Sequence, residues 1–214
     1  DSHMLVLTCA HCVKNCRSDA VSVIFPQISN EEQPAHVLSV CPDYDLAVLV
    51  TPTAEGVVQF ELDANYPAVG SAVFALGFSL GMAGMSVTRG IFSGLQDGRF
   101  QHTASINQGC SGGPAVNAAG KVIGVNSSGV LAAQQVGFAQ PSQYFINVRS
   151  HMLKRRAKWQ DEAAVVRVGD LGLMYHRMLP ALRNFAGGAG VHGVIAYHVH
   201  TGSAFRDHIT PGTL

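Results

Sequence analysis

Charge is scarce in this 214-residue chain: Asp, Glu, Lys and Arg make up 13% of it, and the formal net charge is +0. That balance removes any global reason to expect a nucleic-acid or membrane-surface partner. No apolar run approaches the ~18–20 residues with which a helix spans a bilayer. The first residues lack the charged, apolar and cleavage regions of a secretory signal, and no internal repeat is evident. The cysteines are Cys9, Cys12, Cys16, Cys41 and Cys110, an odd set of five that argues against a closed disulfide framework. They read as reduced thiols in an intracellular setting, with an organelle such as a mitochondrion or chloroplast as the expected compartment. With 47% hydrophobic residues the chain is neither disordered nor a coiled coil. Its length suffices for one large or two modest domains with cores of their own.

Glycine is plentiful, at 23 residues, and lies between short runs rich in β-branched residues. The patterning predicts strands at 5–8, 20–25, 35–40, 71–77, 87–90, 101–104, 115–117, 121–126 and 135–139, with an apolar run at 45–50 after an acidic turn. Strands this short and frequent indicate a sandwich or barrel. From Pro141 to about Gln160 the spacing turns helical, with Pro141 suited to the first turn and Phe145, Val148, Met152 and Leu153 able to share a face. The basic stretch 151–158 reads as a solvated helix face, and 160–166 as a linker.

The stretch Gly109-Cys-Ser-Gly-Gly-Pro114 sets one hydroxyl, that of Ser111, between glycines. Glycine permits backbone angles other residues resist, so a tight loop here can present the hydroxyl and aim two N–H groups at one point. Acyl transfer needs that combination: a nucleophile, and donors for the oxyanion that forms. A serine hydroxyl also needs a base within reach. Upstream lie Leu7-Thr-Cys-Ala-His-Cys-Val13, with the imidazole of His11, and Asp43-Tyr-Asp-Leu-Ala-Val-Leu49, with two carboxylates. Each motif alone has a bland reading, as an ordinary turn, a core histidine or a cap. Three in this order make that reading improbable.

Thr8-x-Ala-His11, Asp45-Leu-Ala-Val-Leu49 and Gly109-x-Ser-Gly-Gly-Pro114 together resemble a chymotrypsin-fold serine protease. The order His, Asp, Ser fits that fold and not the subtilisin or α/β-hydrolase orders. Ile106-Asn107 before the serine loop and Gly137-Phe-Ala-x-Pro141 after the last strands resemble the Deg/HtrA branch, and the resemblance covers roughly residues 5–146. It implies a mainly β fold: a chymotrypsin-like double β-barrel in 1–146, a helix and linker in 147–167, and a partial PDZ-like α+β module in 168–214. The last rests on Asp170-Leu-Gly-Leu-Met-Tyr175, a helical stretch at 179–185, Gly187-Gly-x-Gly190, Gly193-Val-Ile-Ala-Tyr-His-Val199 and Thr201-Gly-Ser-Ala204, similar to the start of a PDZ domain. One or two strands expected before the His segment have no counterpart here, so both ends look truncated.

By the same resemblance Ser111 is the nucleophile, His11 its base and Asp45 the residue that orients His11, while the N–H groups of Gly109 and Ser111 form the oxyanion hole. The substrate pocket maps to Ile106, Val125, Asn126 and Ser127, and no acidic residue stands where Lys/Arg specificity requires one, which implies a small to medium apolar P1 residue. Family members act on unfolded or damaged proteins in quality control and tend to form trimers, with no cofactor. The loops 78–84 and 127–135 combine glycine with small residues and are candidate activation elements.

Rivals exist at several positions. Asp43 competes with Asp45 but reads better as a turn residue after Pro42. Cys110 could be a cysteine nucleophile, yet it fills the variable slot and reads as a bystander within reach of modifying reagents. Cys9-x-x-Cys12-x-x-x-Cys16 invites a metal or redox reading, though no second ligand pair follows at zinc spacing. His198-x-His200, with His192 nearby, reads as surface or groove residues, and no metal is assigned. Among whole-protein readings, a serine endopeptidase leads. A catalytically inactive scaffold binding peptides through its PDZ portion is the alternative, and a secreted digestive protease is disfavoured by the cysteine pattern.

Overall fold

The computed structural model describes residues 3–82, 84–129, 135–154 and 162–168, with main chain alone at 128–129, and beyond them the backbone of strands 173–177 and 194–199. The chain divides into two compact units, 1–168 and 169–214. Among the described residues no helix is long and apolar enough to cross a membrane.

The first unit begins with an open sheet. Strand β1 (His3–Cys9) runs antiparallel to β4 (Leu46–Pro52), and β4 pairs with β3 (Ser29–Cys41). Strand β2 (Val21–Phe25) pairs with the first half of β3. β4 is the centre of this half. Its residues 46–51 are buried at every position, and the two faces serve different cores. Leu46, Val48 and Val50 meet Cys9, Leu38 and Cys41, while Ala47 and Leu49 meet Val13 and Val37. A continuous apolar run is what a strand covered on both sides requires.

The second half is a closed barrel. It comprises β5 (Ala72–Gly77), β6 (Ser86–Gln96), β7 (Arg99–His102), β8 (Pro114–Val116), β9 (Val122–Gly129) and β10 (Gly137–Pro141), in the order β10-β7-β6-β5-β8-β9. Closure leaves no unpaired edge. Val73, Phe92, Phe100, Ala115, Ile123 and Ala139 fill its interior, with Phe92 and Phe100 edge-to-face at 5.0 Å. Val125 of β9 packs instead with the Leu46 cluster of the first sheet, so the two halves share a core.

Helix α1 (Ser142–Met152) follows β10 directly and buries Val148 and Met152 in that shared core. Pro141 caps the helix and still belongs to β10, rather than sitting in the first turn, because its extended ψ of 137° suits the strand. The helix closes at Met152, and 155–161 lie outside the described residues.

Two further expectations change. β3 starts at Ser29 and β6 reaches Gln96, both longer than their apolar patterns. The stretch read as a linker is stitched to the first sheet: β11 (Ala164–Val165) pairs in parallel with β3, and the Val166 N–H donates to the Val40 carbonyl at 2.8 Å. The apolar run Ala163-Ala-Val-Val166 finds partners on β3 that a solvated linker would forgo.

In the second unit β12 (Leu173–Arg177) and β13 (Val194–Val199) form an antiparallel pair. The expected helical stretch 179–185, the glycine loop 187–190, His192, His200 and the 201–204 turn lie outside the described residues.

Candidate active site

The first sheet supplies an imidazole and a carboxylate through two tight turns. β1 ends at Cys9 and passes into a 3₁₀ turn, Ala10–Val13, carrying His11. A second such turn, Pro42–Tyr44, ends at Asp45, just before β4. Because Cys9 pairs with Leu46 in the β1–β4 register, the residues just beyond, Ala10 and Asp45, face each other. The Ala10 N–H donates to the Asp45 carbonyl at 3.1 Å. Asp45 adopts φ 52°, ψ 42°, a left-handed conformation that Asp tolerates better than most residues.

Its carboxylate is the hub of the site. Oδ1 accepts the His11 N–H at 3.0 Å, and Oδ2 lies 2.8 Å from His11 Nδ1. The Ser127 hydroxyl donates to the same Oδ2 at 2.8 Å. An ionised carboxylate only accepts, so the His11 proton sits on Nδ1 and Nε2 keeps its lone pair. The His11 side chain is 44% exposed and that of Asp45 24%, so the imidazole is open to solvent on the side away from its anchor. Asp43 faces elsewhere. Its Oδ2 accepts the Val168 N–H at 2.8 Å and its Oδ1 pairs with Arg167 at 3.1 Å, fastening the segment after β11.

The barrel supplies the serine through a loop that only glycine can make. Gly109 has φ +94° and Gly112 φ +84°, a region where a Cβ is strained. A Cβ on Gly109 would fall on the Phe78 carbonyl, and one on Gly112 on the Thr8 hydroxyl. The second contact is where the loop docks on β1. The Gly112 N–H donates to the Asn126 carbonyl at 2.7 Å, and the Asn126 N–H to that of Gly113 at 2.8 Å. The Ser111 hydroxyl donates to the Ser127 carbonyl at 2.8 Å. Ser127 therefore holds Asp45 with its side chain and Ser111 with its main chain. The N–H groups of Gly109 and Ser111 have no acceptor among the described residues, whereas those of Cys110, Gly112 and Gly113 do.

Of the four pocket residues expected from the sequence, Ile106 is half-buried beside Gly137, where a Cβ would come within 2.8 Å of its Cγ1. The side chains of the other three are committed elsewhere. Val125 lies in the shared core, and Asn126 is fully buried with Nδ2 donating to Pro114 at 3.1 Å. Ser127 is bound to Asp45. Alternation puts Val125 and Asn126 on opposite faces of β9, and both are covered, so this stretch can offer a substrate main chain only. The role of Ser127 escaped the sequence reading; the signal was a hydroxyl placed next to a buried apolar strand.

Cys110 also departs from expectation. It is 3% exposed, so reagents do not reach it, and its thiol lies 3.1 Å from the Ser79 hydroxyl. Ser79 is 2.9 Å from Ser86, whose hydroxyl donates to the Gly77 carbonyl at 3.0 Å. This buried chain ties the serine loop to the 78–81 turn, reinforced by the Leu80 N–H on the Gln108 carbonyl at 2.7 Å. All five cysteines are free. The Cys9 thiol, a His11 ring nitrogen and an Asp45 oxygen lie within 4.8 Å of one another. These three could hold a cation only by parting His11 from Asp45.

Two β halves that meet at an Asp–His pair and a glycine-bounded serine make up a chymotrypsin-like fold. Comparison with known proteins agrees. A family model described as trypsin-like peptidase domain matches residues 1–125. The periplasmic serine endoprotease DegP of Salmonella typhimurium is 32% identical over 171 residues, 73% of this chain and 34% of the relative. Serine protease HTR4 of Bos taurus is 31% identical over 225 residues, covering 95% of this chain and 45% of the relative. A solved HtrA-type protease, AlgW with decapeptide, superposes with a TM-score of 0.68 at 26% identity, over 99% of this chain and 65% of that one. The chain belongs to the trypsin-like peptidase domain family and is a Deg/HtrA-like member of it. It spans between a third and a half of the length of these curated relatives.

Proposed function

We propose that this chain is the peptidase portion of a serine endopeptidase that cuts unfolded or damaged proteins through an acyl-enzyme on Ser111. The observation that carries the reading is the Asp45 carboxylate, which binds the His11 main chain, the His11 ring and Ser127 at once, while Ser127 holds Ser111. Rotation of the Ser111 hydroxyl from the Ser127 carbonyl to His11 Nε2 gives the nucleophile its base. Ser111 Oγ then attacks the scissile carbonyl carbon as its proton passes to Nε2, and Asp45 stabilises the imidazolium. The oxyanion is received by the free N–H groups of Gly109 and Ser111, each such donor being worth ~3 kcal/mol. The C–N bond breaks as Nε2 returns the proton to the leaving amine. Water, deprotonated by His11, then releases the acyl group.

Substrate contact along β9 is through main chain, and Ile106 favours a small to medium apolar P1 residue. Cleavage confined to Lys or Arg sites would overturn that preference. Unit 169–214 is read as the first part of a PDZ-like module that binds peptide termini, and the assembly as a homotrimer, which sedimentation would check. The competing scaffold reading draws on the Ser111 hydroxyl being bonded to Ser127 rather than to His11. A fluorophosphonate probe and casein turnover decide between them. Labelling and turnover lost in Ser111→Ala and kept in Cys110→Ala support the peptidase; no labelling of the parent protein supports the scaffold.

A further inference from the structure

We propose that Cys12 and Cys9 form a dithiol modification site that peroxide closes to a disulfide, displacing the turn that carries His11. The two cysteines stand three residues apart on one 3₁₀ turn, Cys9 capping it and Cys12 inside it, a spacing that sets their side chains on the same side of the turn. Their surroundings differ in the way a two-step oxidation needs. Cys9 is fully buried, its thiol donating to the Asn126 carbonyl at 3.2 Å. Cys12 is exposed, with its sulfur 3.6 Å from the Ser111 carbonyl.

The groups facing Cys12 are the Cys9 thiol, the Thr8 hydroxyl, the His11 ring and the Asp45 carboxylate. The neighbouring Cys9 thiol is the largest influence, and with His11 and Thr8 it outweighs burial and Asp45, bringing Cys12 down to about 6. Cys9 is pushed up, first by the neighbouring Cys12 and then by burial. A thiolate thus stands at the surface with a protonated partner behind it, the arrangement of a reactive and a resolving cysteine.

The chemistry closes as follows. The Cys12 thiolate attacks one oxygen of hydrogen peroxide, the O–O bond breaks, and the departing hydroxide takes a proton to leave as water. Cys12 is now a sulfenic acid. Cys9 sulfur attacks it, the S–O bond breaks, and the hydroxide leaves as water with the proton of Cys9. Two thiols are oxidised to one disulfide and one peroxide is reduced to two waters.

Forming the bond draws the sulfurs to ~2.05 Å, which removes Cys9 from Asn126 and Cys12 from Ser111 and reshapes the turn holding Ala10 and His11. A misplacement of ~1 Å at a catalytic group can cost about 100-fold in rate. The effect on turnover rests on the proposed peptidase; the bond itself and the movement of His11 do not.

The test uses the full chain. At pH 7, iodoacetamide should label Cys12 ~10-fold faster than an ordinary exposed thiol. Peroxide should give a Cys9–Cys12 crosslink in the non-reduced peptide map, shift the His11 ring resonances in NMR and lower fluorophosphonate labelling at least ~10-fold. Dithiothreitol should reverse all three changes. Cys12→Ser should abolish them, and Cys9→Ala should stop at a sulfenic acid that dimedone traps on Cys12. No crosslink, a crosslink with unmoved His11 resonances, or a loss of labelling that persists in Cys12→Ser would each overturn the proposal. If even the reduced protein fails to react with fluorophosphonate, the proposed function falls, while the crosslink and His11 resonances still decide this one.

Discussion

The two halves of the first unit place their functional groups by different means. The open sheet holds His11 and Asp45 with hydrogen bonds that converge on one carboxylate. The closed barrel holds Ser111 with backbone shape, through Gly109 and Gly112 at positive φ and too close to neighbouring atoms for any side chain. The first arrangement is electrostatic and degrades by steps as partners are removed. The second is steric and fails abruptly when an atom is added. Ser127 belongs to the barrel but spans both, because its hydroxyl and carbonyl bond in opposite directions.

The largest effect should come from removing the groups that meet at the junction. Ser111→Ala and His11→Ala should each lower kcat/KM by ~10⁴–10⁶-fold, and the double variant by about as much as either alone. Additive losses in casein turnover would mean that the halves act separately. Next comes the steric half. Gly112→Ala should cost ~3 kcal/mol in urea unfolding and abolish turnover, since the added methyl meets Thr8 across the docking contact. Gly120→Ala, at φ +75° with open space around it, is the control and should cost only ~1 kcal/mol. Equal costs would refute the steric account.

A third experiment probes the barrel interior through His102, which is 1% exposed with both ring nitrogens unpartnered among the described residues. Burial lowers its pKa from 6.5 to about 4. Between those values the unfolded chain binds the extra proton, so the contribution is complete above pH 6.5 and lost as pH falls towards 4. Between pH 7 and pH 4.5 the parent should lose ~2.5 kcal/mol more than His102→Phe. Parallel denaturation profiles would exclude this origin. The smallest effect belongs to the electrostatic half. Ser127→Ala removes one of several bonds to Asp45 and should lower kcat ~10-fold with KM unchanged, a hydrogen bond to a charged group being worth ~1.5 kcal/mol or more. A change confined to KM would place Ser127 in substrate binding instead.

The sequence showed most where local chemistry leaves few choices. The apolar run at 45–50 follows an acidic turn, and the structure makes its residues from Leu46 onward a strand buried on both faces. Longer strands were hidden where polar residues form them. The first half of β3 reads Ser-Asn-Glu-Glu-Gln and is largely exposed, so pairing with β2 is its main restraint and no apolar alternation marks it. β11 likewise exists because β3 offers it hydrogen bonds.

By itself the sequence determined the glycine-bounded serine, the order of the three motifs and the sites of tight turns, because backbone freedom and burial pattern are properties of neighbouring residues. Tertiary structure alone decided that Asp45 binds Ser127 as well as His11, and that Asp43 turns away to Arg167 and Val168. It also decided that Val125 and Asn126 are both buried, that Cys110 is sealed against Ser79, and that Cys9 and Cys12 share one turn beside Ser111. Each of these depends on residues tens of positions away or on the turn that brings thiols together. Spacing along a chain carries no distance until the sheets have packed.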